Sequence, residues 1–140
     1  MTSLTLAQAR AVIDGALAAS RAAGFKPMGV VVDAAAQVVA SVREDGASAL
    51  RLDIALGKAA AAVGMGVNSR VLAERTKTVP VFLGAVAAVA QQAFIPQTGA
   101  VLLTDAVGAV IGAAGASGGT GDEDEQICIA GAAAAGLGHA

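Results

Sequence analysis

The chain has 140 residues, a formal net charge of −2 and an apolar content of 56%, which together predict one globular domain, residues 1–140. Only 2% of the residues are aromatic and no basic cluster is present, so the composition argues against nucleic-acid binding by phosphate neutralisation or base stacking. The longest apolar runs are shorter than the roughly 18 residues of a membrane span, the N-terminal residues do not resemble a signal peptide, and a single cysteine cannot form an internal disulfide. These features predict a cytoplasmic protein.

Small side chains dominate the apolar content, which is mostly alanine and valine alongside 18 glycines. Such side chains allow helices and strands to approach closely, but each buries little area. Burial between subunits would add to the apolar area removed from water, so we expect a homo-oligomer, a dimer or larger.

Apolar periodicity and turn residues divide the first half of the chain into a helix, a β-hairpin and a second helix. Thr5 is the expected N-cap of the first helix, and Gly24 follows its end at about Ala23. The second helix is expected to present Leu52, together with several alanines, to the core. The predicted bounds are about 5–23 for the first helix, 28–32 and 38–42 for the strands, and 49–64 for the second helix.

Two short helices, a second hairpin and a last helix follow. Asn68 or Ser69 is the expected cap of the third helix, and Pro80 suits the first turn of the fourth. The predicted bounds are about 69–76 and 81–90 for these helices, 101–104 and 109–114 for the strands, and 122–137 for the last helix. Hairpins separated by helices predict an α+β fold, in which helices pack on an antiparallel sheet built from the two hairpins.

The segment VIGAAGASGGTGDEDEQICIAG combines a buried strand, a loop of small residues and a helix with an acidic first turn. Such a junction can place backbone and side-chain groups around a ligand. The acids at 122–125 would repel a phosphate at this helix N-terminus. Two interpretations remain open: these residues only cap the helix, with Thr120 or Asp122 as N-cap, or a carboxylate such as Asp124 contacts a ligand.

Lys58 is the second candidate, because it is surrounded by alanines in an otherwise apolar helix. A lysine in such surroundings can act as a base or as a Schiff-base nucleophile. It can equally pair with Asp124 or extend its ammonium group to the surface. We expect the pairing, because an unpaired buried charge costs several kcal/mol.

Four further polar residues complete the candidate site. Arg43 could hold a substrate carboxylate in a bidentate pair, and Asp45 follows it closely; the alternative for both is a solvated end of the hairpin. Ser117 and Thr120 could offer hydroxyl groups to a ligand or serve the turn and the helix cap. No His or Cys spacing of a metal site is present, so no structural metal is expected.

Three ordered segments resemble the GlcG/HbpS family. VVVDAAAQVVASVREDGA is similar to the family pattern D-x-x-G-x-L-V…R-M-D-G-A, ALGKAAAA is similar to A-x-x-K-A-x-T-A, and the segment with the acidic turn is similar to V-V-G-A-I-G-V-S-G…D-E-x-x-A-x-A-G. The resemblance implies a profilin-like sandwich of two or three layers, commonly assembled into homo-oligomers. The chain departs from the family at Glu44, where the pattern has Met, and lacks the family's proline before the last hairpin.

The resemblance also implies haem, or another tetrapyrrole, as a possible ligand. The single histidine, His139, is the penultimate residue and is expected to be mobile. Met at 28 and 65 more often fills a core, and Cys128 is expected to be a buried, inert thiol. The internal candidates for an axial ligand are Met28, Met65, Cys128, Lys58, Thr78 and Thr98.

Two functions are therefore predicted. The favoured one is a small-molecule binding protein of the GlcG/HbpS type, accessory to a catabolic pathway. The alternative is a cofactor-free enzyme that performs proton-transfer or lyase chemistry on a small organic acid or aldehyde, with Lys58, Arg43 and Asp124 as its polar groups. Binding is favoured because no nucleophile–base pair can be assembled from the sequence.

Overall fold

The structure, a computed structural model, describes residues 3–140 apart from the side chains of Met28 and Val30. These residues form five helices and five strands. The helices are α1 (Leu6–Ala23), α2 (Arg51–Met65), α3 (Ser69–Thr76), α4 (Pro80–Val89) and α5 (Gly121–Ala134). The strands are β1 (Met28–Asp33), β2 (Val38–Arg43), β3 (Ala100–Thr104), β4 (Val110–Ser117) and β5 (Gly138–His139).

The strands form an antiparallel sheet in the order β2-β1-β4-β3-β5, which confirms the predicted α+β class. Two ends differ from the prediction by three residues, and the other bounds agree within about two. β4 continues to Ser117 because its pairing with β1 extends through small residues that carry no strand signal of their own. The last helix ends at Ala134, and the chain then adds the short edge strand β5, which was not predicted.

Helices cover both faces of the sheet, giving three layers. α1 and α5 pack on one face, and α2 packs on the other. The core side of α2 is formed by Ala55, Ala59 and Ala62. The prediction that Leu52 faces the core is wrong, since this residue is 37% exposed. The alanines form the buried face of α2 because their small side chains allow the helix backbone to lie close to the sheet.

Two glycines bring together the elements that surround the candidate site. A Cβ on Gly115 of β4 would lie 2.5 Å from the carbonyl oxygen of Ala55, so only glycine permits α2 to approach β4 this closely. A Cβ on Gly57 would lie 2.7 Å from Ile95 Cγ1, and the Ile95 N–H donates to the Gly57 carbonyl at 3.0 Å. The segment before β3 is thereby fixed against α2.

Both hairpins use the same turn, which accounts for two of the aspartates. The carboxylates of Asp33 and Asp105 each accept two backbone N–H groups of their turn, at 2.8–3.1 Å. The last turn residue has a positive φ in each case, 62° at Ala36 and 84° at Gly108. Asp33 and Asp105 therefore have turn-forming roles.

Over residues 3–140, none of the helices has both the length and the apolar character that spanning a bilayer requires.

Candidate functional site

A depression of about 490 Å³ lies where α2, the segment before β3, the end of β4 and the start of α5 meet; we call it the α2–α5 depression. Its lining is mostly polar and includes both charged signs. The lining residues are Arg51, Ile54, Lys58, Ile95, Gln97, Thr98, Ser117, Gly119, Thr120, Gly121, Asp122 and Asp124. By contrast, the apolar cavity between α1 and the sheet holds only about 20 Å³, which is roughly the space of one water molecule.

A buried ion pair forms part of the wall of this depression. The Lys58 Nζ donates to Asp124 Oδ2 at 3.1 Å and to the carbonyl oxygen of Ala116 at 3.0 Å. Asp124 Oδ1 accepts the Gly119 N–H at 2.9 Å. The two residues are 5% and 1% exposed. The predicted pairing is confirmed, although α2 and α5 cover opposite faces of the sheet and their side chains meet at its end.

Gly99 provides the space for the lysine head group. Its φ is +138°, and a Cβ there would lie 2.6 Å from Lys58 Nζ and 3.2 Å from the Ala116 carbonyl oxygen. Glycine is therefore required for two reasons, the backbone conformation and the approach of the ammonium group.

The other acids of the first turn of α5 also have partners. Arg70 of α3 donates to Glu125 at 3.0–3.1 Å and forms a close ion pair with Asp122. Hydrogen bonds to Glu125 and, to a lesser extent, to Asp122 raise the pKa of the Arg70 guanidinium above its usual value. Glu123 and Thr120 form a capping box, in which each side chain accepts the backbone N–H of the other. Thr120 is thus the N-cap.

Arg51 differs from these residues, because none of the carboxylates in the described part of the chain forms a salt bridge with it. Its Nη1 donates instead to the neutral hydroxyl of Ser117 at 3.3 Å. Arg51 was not among the site residues predicted from the sequence. A signal was present, however, because Arg51 and Lys58 are seven residues apart, two helical turns, and therefore lie on the same face of α2.

Of the six candidate residues predicted from the sequence, four line the α2–α5 depression, and Asp45 and Arg43 do not. Lys58, Ser117, Thr120 and Asp124 line the α2–α5 depression. Asp45 is exposed and lines a separate depression beside Arg21, Lys26 and Glu44.

Arg43 is exposed near the α2–α5 depression and is absent from its lining. It pairs with Met28 in the sheet, and Met28 pairs with Ser117. Arg43 and Ser117 therefore share a face of the sheet, about 10 Å apart across two strand spacings.

Glu44 has a partner outside the depression. Arg21 pairs with it at 2.8 Å. The hydrogen bond from Arg21 lowers the pKa of the Glu44 carboxyl below its usual value.

The described cysteine and histidine, Cys128 and His139, lie away from the lining. Cys128 is buried with its Sγ 3.6 Å from the carbonyl oxygen of Gly99, and burial raises the pKa of its thiol, as expected for an inert cysteine. The backbone of His139 is paired with Leu103 in the edge strand β5, and the mobility of this residue stays a prediction.

Of the remaining candidate ligands, Thr98 lines the α2–α5 depression, whereas Thr78 and Met65 do not. The hydroxyl of Thr78 donates to the carbonyl oxygen of Arg75, Met65 is absent from the lining, and the Met28 side chain lies outside the described residues. Within the described part of the chain, no group of three or more His, Cys, Asp or Glu residues is arranged to hold a metal ion.

The fold and this site define a small α+β sandwich with a polar depression at the end of its sheet. Residues 4–133 match the model of the family described as "Haem degrading protein HbpS-like". The chain therefore belongs to the HbpS-like family.

Solved structures of known proteins have the same fold. A double mutant of HbpS from Streptomyces reticuli is 30% identical, with a TM-score of 0.83 over 95% of this chain and 87% of that one. Protein ORFY of Klebsiella pneumoniae is 25% identical, with a TM-score of 0.83 over 97% and 93% of the two chains. A PduOC:heme complex is 22% identical, with a TM-score of 0.85 over 98% of each. No curated protein sequence matches the chain significantly.

Proposed function

We propose that this chain is a small-molecule binding protein whose ligand occupies the α2–α5 depression. The observation that carries the proposal is the Lys58–Asp124 pair, which lies in the wall of an open depression instead of an enclosed core. Removing two charges from water is costly, and apolar residues of similar volume would often stabilise a fold equally well. A binding role accounts for charged residues at these two positions.

The geometry favours binding over catalysis, which was the alternative. Two acceptors hold the Lys58 ammonium, and both carboxylate oxygens of Asp124 already accept a hydrogen bond. A general base or an amine nucleophile requires an available lone pair within reach of the substrate. The Lys58 nitrogen acts as a donor in both of its contacts, and Asp124, which is 1% exposed, presents little of its carboxylate to a substrate.

Haem or another tetrapyrrole is suggested by the family description and by the solved haem complex of PduOC. Among the described side chains, the lining of the α2–α5 depression fits haem iron poorly, because it has neither an imidazole nor a sulfur ligand and its amine, Lys58, is engaged by Asp124. Of the axial candidates from the sequence, this leaves the hydroxyl group of Thr98. We therefore expect hemin to bind at most weakly. In a spectroscopic titration, a tight complex with a histidine-ligated spectrum that is lost in His139→Ala would contradict this expectation.

An NMR screen tests the proposed site. Uniformly ¹⁵N-labelled protein is titrated with small carboxylic acids, amides, sugars and hemin, and amide shifts are followed. Saturable changes should cluster at Thr98, Ser117 and Gly119–Gly121. Changes confined to the depression beside Arg21 and Lys26, or no changes with any compound, would contradict the proposal.

We also propose that the protein is a cytoplasmic homo-oligomer in which α4 contacts a second copy. This helix carries no charged residue, and Val81, Phe82 and Val89 are 86%, 58% and 73% exposed. Apolar side chains on one helix face commonly form subunit contacts.

Light scattering tests this assembly. The protein should have at least the mass of a dimer, and Phe82→Ser should shift it towards the monomer. Val107→Ser is the matched control, since Val107 is 88% exposed but lies at a hairpin tip. A monomeric protein at micromolar concentration would refute the assembly.

A further inference from the structure

We infer that the ligand of the α2–α5 depression is a small carboxylate that carries a second oxygen acceptor, with Arg51 binding the carboxylate and Lys58 the acceptor. The inference rests on the proposed function and specifies its ligand class.

The charge balance of the depression identifies Arg51 as the anion-binding group. The acids of the lining are already compensated, Asp124 by Lys58 and Asp122 by Arg70. Within the described residues, the side-chain hydrogen bond of Arg51 goes to a neutral hydroxyl, that of Ser117, at 3.3 Å. A guanidinium group can bind a carboxylate through two parallel hydrogen bonds, so this side chain remains available for a ligand.

Lys58 supplies the second contact. An ammonium group has three N–H donors, and contacts within the described residues use two of them, to Ala116 and Asp124. The third remains for an oxygen of the ligand. The hydroxyl of Thr120 accepts the Glu123 N–H and keeps its own proton to donate.

The position of these groups limits the size of the ligand. The Cα atoms of Arg51 and Lys58 are two turns apart, about 10.5 Å along the helix axis. Their head groups nevertheless bond to consecutive residues of β4, Ser117 and Ala116. The two donors therefore converge, and a molecule of a few carbon atoms can contact both.

The net charge of the ligand follows from the charges in the same wall. Lys58 and Arg70 compensate Asp124 and Asp122, which leaves Arg51 as the cation of the described lining without a carboxylate partner. One negative charge on the ligand balances this cation. A doubly charged phosphate would bring a second negative charge close to Asp122 and Asp124 without a further unpaired cation to offset it.

Lactate is the probe for this inference, and lactamide is its neutral counterpart. In a ¹H–¹⁵N titration, lactate should produce saturable shifts at Ser117 and Gly119–Gly121, and lactamide should bind at least about tenfold more weakly. Arg51→Gln should weaken lactate binding at least about tenfold. Arg75→Gln is the charge-matched control on an exposed face of α3 and should leave binding unchanged.

The outcomes separate this inference from the proposed function. Equal binding of lactamide and lactate, tighter binding of inorganic phosphate, or unchanged lactate binding by a folded Arg51→Gln variant would overturn the carboxylate assignment and leave the binding site standing. The same holds if sugars or hemin bind in the depression and lactate does not. Failure of every compound to perturb the depression would overturn both.

Discussion

Two ion pairs hold the start of α5, and they differ in their surroundings. The pair of Lys58 and Asp124 is buried, with side chains 7% and 2% exposed. Arg70, which binds Asp122 and Glu125, lies at the edge of the same helix turn with its side chain 46% exposed. The acidic first turn of α5 thus takes part in a buried contact, Lys58–Asp124, which we call the internal pair. It also takes part in the partly exposed contacts of Arg70, which we call the peripheral pair.

The difference separates the acidic residues by how strongly they depend on their partners. Solvent reaches Arg70 and Asp122 and screens their contact, whereas the Glu125 side chain is 10% exposed, so the peripheral pair contributes less to stability than the internal one. The internal pair has lost its hydration and depends on each of its hydrogen bonds. Both of its members are buried, and it lies beside Arg51 in the wall of the depression.

Removing one member of the internal pair should have the largest effect. Lys58→Met or Asp124→Asn each leaves a buried group without its partner, so each should lower the free energy of unfolding by about 3–5 kcal/mol. The double variant should cost less than the sum, because the second change removes the group that the first left unpaired. Urea unfolding of the four proteins measures the coupling, and strictly additive losses would refute it.

Placing a methyl group against the internal pair should have a smaller effect on stability. Gly99→Ala forces a strained backbone conformation and displaces the Lys58 ammonium, so we expect a loss of about 1–3 kcal/mol in unfolding free energy. Gly84→Ala is the matched control, because a Cβ at Gly84 would have no neighbour within 4 Å. This control should be neutral or slightly stabilising in α4. If Gly99→Ala were as stable as Gly84→Ala, this would contradict the close approach of the Lys58 ammonium group to Gly99.

Removing the peripheral pair should have the smallest effect. Arg70→Gln should lower the melting temperature less than the other variants, because Arg70 is 46% exposed and the Gln amide can still donate to the buried Glu125. The difference from the parent should shrink further in high salt, because the ion pair is screened. Thermal unfolding at low and high ionic strength measures this. A loss as large as that of Lys58→Met would remove the distinction between the two pairs.

Much of this arrangement could be predicted from the sequence. The alanine surroundings of Lys58 predicted that it would need a carboxylate, which is confirmed. The loop before α5 limited the N-cap to Thr120 or Asp122, and the structure shows Thr120. Strand β5 could not be predicted, since its two residues depend on pairing with β3. Arg51 was missed because its role appears only when Ser117 and Lys58 are placed around it in space. The site roles of Arg43 and Asp45 stay predictions.

The central claim is that the internal pair serves a ligand. The most direct test compares folding and binding in the Lys58→Met, Asp124→Asn double variant, using the compound that binds the parent protein most tightly in the NMR screen. We predict a native-like ¹H–¹⁵N spectrum whose depression amides no longer shift when the compound is added. A folded double variant that binds the compound with an unchanged Kd would contradict the claim.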